Sequence, residues 1–165
     1  MITEPKVEHR DNQHYMAIRT LAAIPEFPTV IPQLLGEVFA WLKTQDIEPA
    51  GAPLIRYLVI DMEAKLDIEL GVPVADVLSG NDRIRASVIP AGRYASLIYT
   101  GIENGFKGNE ALINWAAANG IRWDRWDDEN GDAFRSRVEY FLTDPDDEPD
   151  PAKWETEVAI LVADN

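Results

Sequence analysis

Glu139 is the residue whose position most needs explaining. It stands between Arg137 and Leu142, amid Val138, Tyr140, Phe141 and Leu142, in a run otherwise suited to a β-strand. Glutamate is depleted in strands, so something beyond local preference keeps it there. Alternation puts Glu139 and Phe141 on one face and Val138, Tyr140 and Leu142 on the other. A carboxylate beside an aromatic ring at the floor of a cleft would hold a cation, or serve as a general acid or base. On an open strand face the same Glu139 would sit in solvent, paired with Arg56 or Arg137. Tyr94, Tyr99, Trp123 and Trp126 are the candidate walls of such a cleft, whereas Trp41 and Trp115 fall on helices and read as core. Ring faces suit a flat apolar cation, each contact contributing about 0.5–2 kcal/mol.

Other chemistries fail on residue type or spacing. The chain has no cysteine, which removes thiolate zinc sites, cysteine nucleophiles and disulfides. Its two histidines, His9 and His14, lie far from Ser79, Ser87, Ser96 and Ser136 in sequence, so a Ser-His pair has no base and a His-rich metal site has no ligands. Gly101, Gly105 and Gly108 lack the Gly-Lys-Ser/Thr ending of a P-loop. The acidic run from Asp144 to Pro151 alternates Asp with Pro and has no EF-hand spacing, so it reads as a solvated turn. No metal and no cofactor is expected.

The elements that must position Glu139 come in two similar sets. Residues 14–22 read as a strand, Thr29 as the cap of a helix over Val30 to Thr44, and 54–61 and 66–74 as two strands. The second half repeats the order. Ile84 to Tyr99 holds two strand-like stretches, and Asn109 caps a helix over Glu110 to Asn119 that Gly120 closes. Strands over 137–143 and 156–162 follow. Trp41, Leu42 and Ile47 match Trp115, Ala116 and Ile121 at an offset of 74, and Tyr57 and Asp61 match Tyr140 and Asp144 at 83. The expectation is one α+β domain over 1–165, built of duplicated βαββ units (about 7–78 and 84–164) with pseudo-twofold symmetry. An antiparallel sheet with two helices would then frame a central ligand cleft.

This arrangement resembles the GyrI-like small-molecule-binding family, which also forms the effector-binding half of multidrug-sensing AraC- and MerR-type regulators. The resemblance rests on Ile89 to Tyr94 leading to Tyr99 and Gly101, on Glu110 to Ala117, and on Val138 to Pro145 followed by Glu155 to Glu157. It implies that Glu139 lies at the base of an aromatic cleft and meets lipophilic cations. Where the family pattern carries a tyrosine this chain has Phe141, which keeps the ring and loses the phenol. Some stand-alone relatives hydrolyse strained cyclopropane-containing genotoxins with a glutamate and a tyrosine. Here the hydroxyl would have to come from Tyr94 or Tyr99. Others inhibit or protect DNA gyrase, which implies a protein partner, gyrase or a regulator, instead of a small molecule.

Charge narrows the partners further. The 165 residues carry a formal net charge of −14 at pH 7. Residues 124–165 alone account for 14 acidic and 4 basic groups. Nucleic acid and anionic membrane surfaces need clustered Lys and Arg, so direct binding to either is not expected. No secretory signal and no apolar run of about 20 residues is present, which makes the cytoplasm the expected address.

Overall fold

The computed structural model describes residues 1–164. In chain order it contains β1 (Lys6–Arg10), β2 (Gln13–Ala22), α1 (Phe27–Thr44), β3 (Leu54–Ile60), β4 (Leu66–Pro73), β5 (Arg85–Ile89) and β6 (Gly92–Thr100). Then follow α2 (Gly105–Ala118), β7 (Arg125–Asp128), β8 (Gly131–Phe134), β9 (Arg137–Phe141) and β10 (Glu155–Leu161). The expected strands and helices are present, with both helices starting earlier than expected. A 3₁₀ turn at Ile24–Glu26 leads into α1, and Pro28 in its first turn leaves Thr29 inside the helix. A second 3₁₀ turn at Ile102–Asn104 leads into α2, and Asn109 lies in its interior with Nδ2 donating to the Gly105 carbonyl. β1 and the β7–β8 hairpin are additional to the expected set.

The strands form one antiparallel sheet in the order β1-β6-β10-β9-β3-β4-β2-β5, with β8 and β7 attached beside β3. With β2 matched to β6, β3 to β9, β4 to β10 and β1 to β5, the order reads the same from either end. The helix exits match in detail as well. Gln45 N–H donates to the Trp41 carbonyl at 3.1 Å, as Asn119 N–H does to Trp115. Ile47 and Ile121 donate to the carbonyls of Leu42 and Ala116 at 3.0 and 2.9 Å. Between them Asp46 and Gly120 both take left-handed backbone, at φ 57° and 67°. A Cβ at 120 would meet nothing within 4 Å, so Gly120→Ala would add backbone strain and no clash. The expected cost is about 1 kcal/mol, read as a fall of about 2–4 °C in Tm. An unchanged Tm would show that this exit is not under conformational tension.

The offset of 83 that pairs Tyr57 with Tyr140 does not survive. Ile55 lies directly opposite Glu139 across the β3–β9 pair, so Tyr57, two residues on, shares the face of Glu139. Tyr140 points the other way, into the cluster of Tyr15, Leu54 and Tyr94.

Both faces of the sheet are buried. On one, Leu34, Leu35, Val38 and Leu42 of α1 pack on Met16, Ile18, Ile68 and Leu70 of β2 and β4. On the same face Leu112 of α2 packs with Leu97, Val158 and Ile160 of β6 and β10, and Ala116 one turn on is buried as well. Each buried Leu or Ile contributes about 1.5–3 kcal/mol. The opposite face carries no helix, yet Tyr15, Leu54, Tyr94, Val138 and Ala159 are buried there, which requires the sheet to curl around them. Because α1 sits over β2 and β4 and α2 over β6, the central strands β3 and β9 form the floor between the two helices. Glu139 is on that floor.

Candidate functional site

Alternation along β9 turns Arg137, Glu139 and Phe141 toward the helices. Val158 of β10 and Ile55 of β3 are the cross-strand neighbours of Glu139. Glu139 is 7% exposed. Each of its oxygens accepts a phenol: the Tyr57 hydroxyl donates to Oε2 at 2.5 Å and the Tyr99 hydroxyl to Oε1 at 2.8 Å. Tyr57 comes from β3, Tyr99 from β6, so three strands converge on one carboxylate. Phe141 packs against the α1 core beside Tyr57, and the Phe27 ring of α1 lies 6.4 Å from that of Tyr57. Among the described residues, no Lys, Arg or His nitrogen stands within ion-pair distance of Glu139.

Removing a carboxylate from water costs several kcal/mol unless partners compensate. Two phenols, bonded to a charged acceptor, compensate in part, since such bonds are about twice as strong as neutral ones. They leave the charge without a direct ion pair, the Arg137 guanidinium acting on it only from beyond 4 Å. The arrangement can therefore hold a cation between its rings, or pass a proton between carboxylate and phenol.

Arg137 extends the site. Its Nη2 donates to Asn109 Oδ1 of α2 at 2.8 Å, and its guanidinium lies 4.9 Å from the Phe134 ring centroid. The Nε is buried without a hydrogen-bond partner. Gly108 of α2 lets the helix close directly on the ring of Tyr99.

All five tyrosines of the chain are pushed above the ordinary phenol range. Burial is the first cause in each, and for Tyr57 and Tyr99 the adjacent Glu139 charge is the second. Tyr140 is raised to about 12. The sign follows from linkage: a phenol that ionises later in the folded than in the unfolded chain stabilises the fold fully below about pH 10 and loses that contribution above it. Tyrosinate absorbance near 295 nm is therefore expected to stay flat past pH 10 and to rise together with loss of circular dichroism. A tyrosine titrating near pH 10 in folded protein would contradict this packing.

The structure separates the residues grouped from sequence. Glu139, Tyr99 and Phe141 share the helix side of the sheet. Tyr94 does not: its ring is in the opposite-face cluster, and its hydroxyl donates to the Pro90 carbonyl at 2.6 Å and bonds Ser136 Oγ at 3.0 Å. Trp123 bridges Val162 and packs on the α2-side core. Trp126 is 51% exposed on the β7–β8 hairpin, across from Ala133. The alternative pairing of Glu139 with Arg56 is also absent, because Arg56 donates to the Tyr15 hydroxyl and to the carbonyls of Val88 and Arg135. Tyr57, Arg137 and Asn109 join the site instead. No group of three or more His, Cys, Asp or Glu among the described residues could hold a metal. No helix there is long and apolar enough to cross a membrane.

Comparisons with known proteins agree with this fold. The GyrI-like small molecule binding domain profile matches residues 3–163. The EcmrR C-terminal domain superposes with a TM-score of 0.77 at 18% identity, covering 98% of each chain. The longer EcmrR chain in its DNA complex gives 0.79 at 18% identity over 98% of this chain, which spans 58% of that one. A hydrolase from Listeria innocua gives 0.63 at 14% identity, over 97% of this chain and 92% of its own. SAV2435, solved bound to tetraphenylphosphonium, gives 0.60 at 9% identity, over 98% and 94%. At these identities the superpositions show the fold alone. No curated protein matches the sequence.

Proposed function

The chain belongs to the GyrI-like small-molecule-binding family, and from that premise we propose that it binds an aromatic or lipophilic cation between α1 and α2, with Glu139 as countercharge. The observation that carries this reading is the carboxylate itself: buried, bonded by two phenols, and without a cationic partner within ion-pair distance among the described residues. Tyr57, Tyr99, Phe141 and Phe27 supply ring faces around it. The tetraphenylphosphonium bound by SAV2435 is a ligand of this chemical class. With Glu139 so little exposed, a ligand must displace packing over Tyr99 before reaching the carboxylate, so association should be slower than an open docking event.

The test uses the protein's five tryptophans as reporters. Fluorescence titration with tetraphenylphosphonium, and with phenyltrimethylammonium against its neutral isostere tert-butylbenzene, is expected to show saturable binding. The cation should bind at least about tenfold more tightly than the isostere, about 1.4 kcal/mol. Equal affinity for cation and isostere, or no binding of any of the three, would overturn the reading.

A second reading, hydrolysis at the same carboxylate, is favoured by the two phenols on Glu139, which restore the hydroxyl that Phe141 lacks. The likeness to a hydrolase from Listeria innocua points the same way. In that reading Glu139 would take a proton from water and a phenol would give one to the leaving group. Product formed in excess of protein would separate it from binding alone.

A further inference from the structure

We propose that the ligand of this site is dipolar, with its cationic end at Glu139 and an acceptor or anionic end at Arg137. The inference rests on the binding reading above and specifies the ligand class. Arg137 and Glu139 stand two residues apart on one face of β9, about 6.7 Å along the strand. No ion pair within 4 Å joins them among the described residues. A guanidinium that served only to neutralise Glu139 would be expected to close on it. Arg137 is instead held away: Asn109 of α2 takes Nη2, and the Phe134 ring lies under the plane. Its Nε–H is buried, a donor that no hydrogen bond among the described residues satisfies.

The other charge near Arg137 is already engaged. Asp132 of β8 is bonded by Arg125 of β7. The local balance is therefore one carboxylate and one guanidinium, held apart, each with unsatisfied capacity. A simple monocation gains the attraction of Glu139 and meets the repulsion of Arg137. A molecule with a positive end and an acceptor end satisfies both, and the strand spacing of the two residues, about 6–7 Å, sets the scale of its length. Opposite ends of one para-substituted ring have this separation, and the ring would lie along β9 beneath the two helices.

A matched series tests the proposal by tryptophan fluorescence: 4-(trimethylammonio)benzoate, phenyltrimethylammonium, 4-tert-butylbenzoate and tert-butylbenzene, against wild type, Glu139→Gln and Arg137→Met. Wild type is expected to bind the zwitterion at least tenfold more tightly than phenyltrimethylammonium. Arg137→Met should abolish that preference and raise affinity for the simple cation severalfold. The wild-type ranking stands even if Arg137→Met fails to fold, because it needs no variant. If wild type binds the simple cation as tightly as the zwitterion, or Arg137→Met leaves their ratio unchanged, the dipolar assignment falls while the cation site stands. If none of the four binds, or Glu139→Gln alters none of the affinities, both readings fall together.

Discussion

Glu139→Gln should lose the preference for cations over neutral isosteres, by tenfold or more, while its Tm holds or rises. Gln has the same shape and keeps one carbonyl oxygen for a phenol. It gives up the charge that the Tyr57 and Tyr99 hydroxyls both address. Two effects oppose each other in stability. Hydrogen bonds to a charged acceptor contribute about 1.5–3 kcal/mol each, neutral ones about 0.5–1.5, so the variant loses bonding. It also escapes the several kcal/mol of desolvation that a buried carboxylate without a cation carries. With Glu139 at 7% exposure, no ion partner within 4 Å among the described residues, and Arg137 acting on it only from beyond that distance, relief of desolvation should equal or exceed the loss. A residue that costs stability and serves binding is the usual trade at a functional position. Thermal melting and titration of the same sample decide it. A drop of several degrees in Tm with unchanged cation affinity would make Glu139 a structural acceptor for two tyrosines and nothing more.

How far the sequence shows this site depends on which contacts are local. Glu139 is visible because a carboxylate in a strand-forming run conflicts with its surroundings. The separation of Tyr94 from Tyr99 was also legible: five residues apart on one strand, they must point to opposite faces, and β6 runs without interruption from Gly92 to Thr100. Grouping both with Glu139 ignored that parity. Asn130 and Gly131 likewise flag a turn between β7 and β8, although the two loop residues are Glu129 and Asn130 and Gly131 is already paired with Asp128. Tyr57 is different. It lies 82 positions before Glu139, and the bond exists because β3 and β9 are neighbours in a register set by the whole sheet. The helix starts misled for a local reason. Thr29 and Asn109 are good caps by type, but 3₁₀ turns begin the winding earlier, and Asn109 is engaged with Arg137 instead. The duplicated order was readable at the helix exits, where backbone geometry is fixed by a few residues. It was not readable in the strands, where an odd offset silently exchanges faces.

Gly108→Ala and Gly36→Ala are the same chemical change inside the two related helices, and they should have opposite signs. Replacing an interior helical glycine by alanine ordinarily stabilises by about 1 kcal/mol. At Gly36, exposed on α1, a Cβ would meet nothing within 4 Å, so the full gain is expected. At Gly108 a Cβ would stand 2.6 Å from Tyr99 Cδ1, 3.0 Å from Cγ and 3.1 Å from Cβ. These atoms are the stem of a buried ring, tied at its far end to Glu139, and cannot swing aside as the tip of a flexible chain would. Overpacking of this kind costs about 1–3 kcal/mol, enough to exceed the propensity gain. Gly108→Ala should therefore lower Tm by a few degrees where Gly36→Ala raises it by about 2–4 °C. The relaxation also has a spectroscopic consequence. Either α2 lifts or Tyr99 rotates, and a Tyr99 hydroxyl released from burial, from the Glu139 charge and from its hydrogen bond loses the causes of its raised pKa. One tyrosine in the folded variant would then ionise closer to pH 10, ahead of alkaline unfolding. If Gly108→Ala melts as high as Gly36→Ala and its tyrosines titrate like wild type, α2 is not locked on the ring, and the Tyr99 hydroxyl is aimed by something other than this glycine contact.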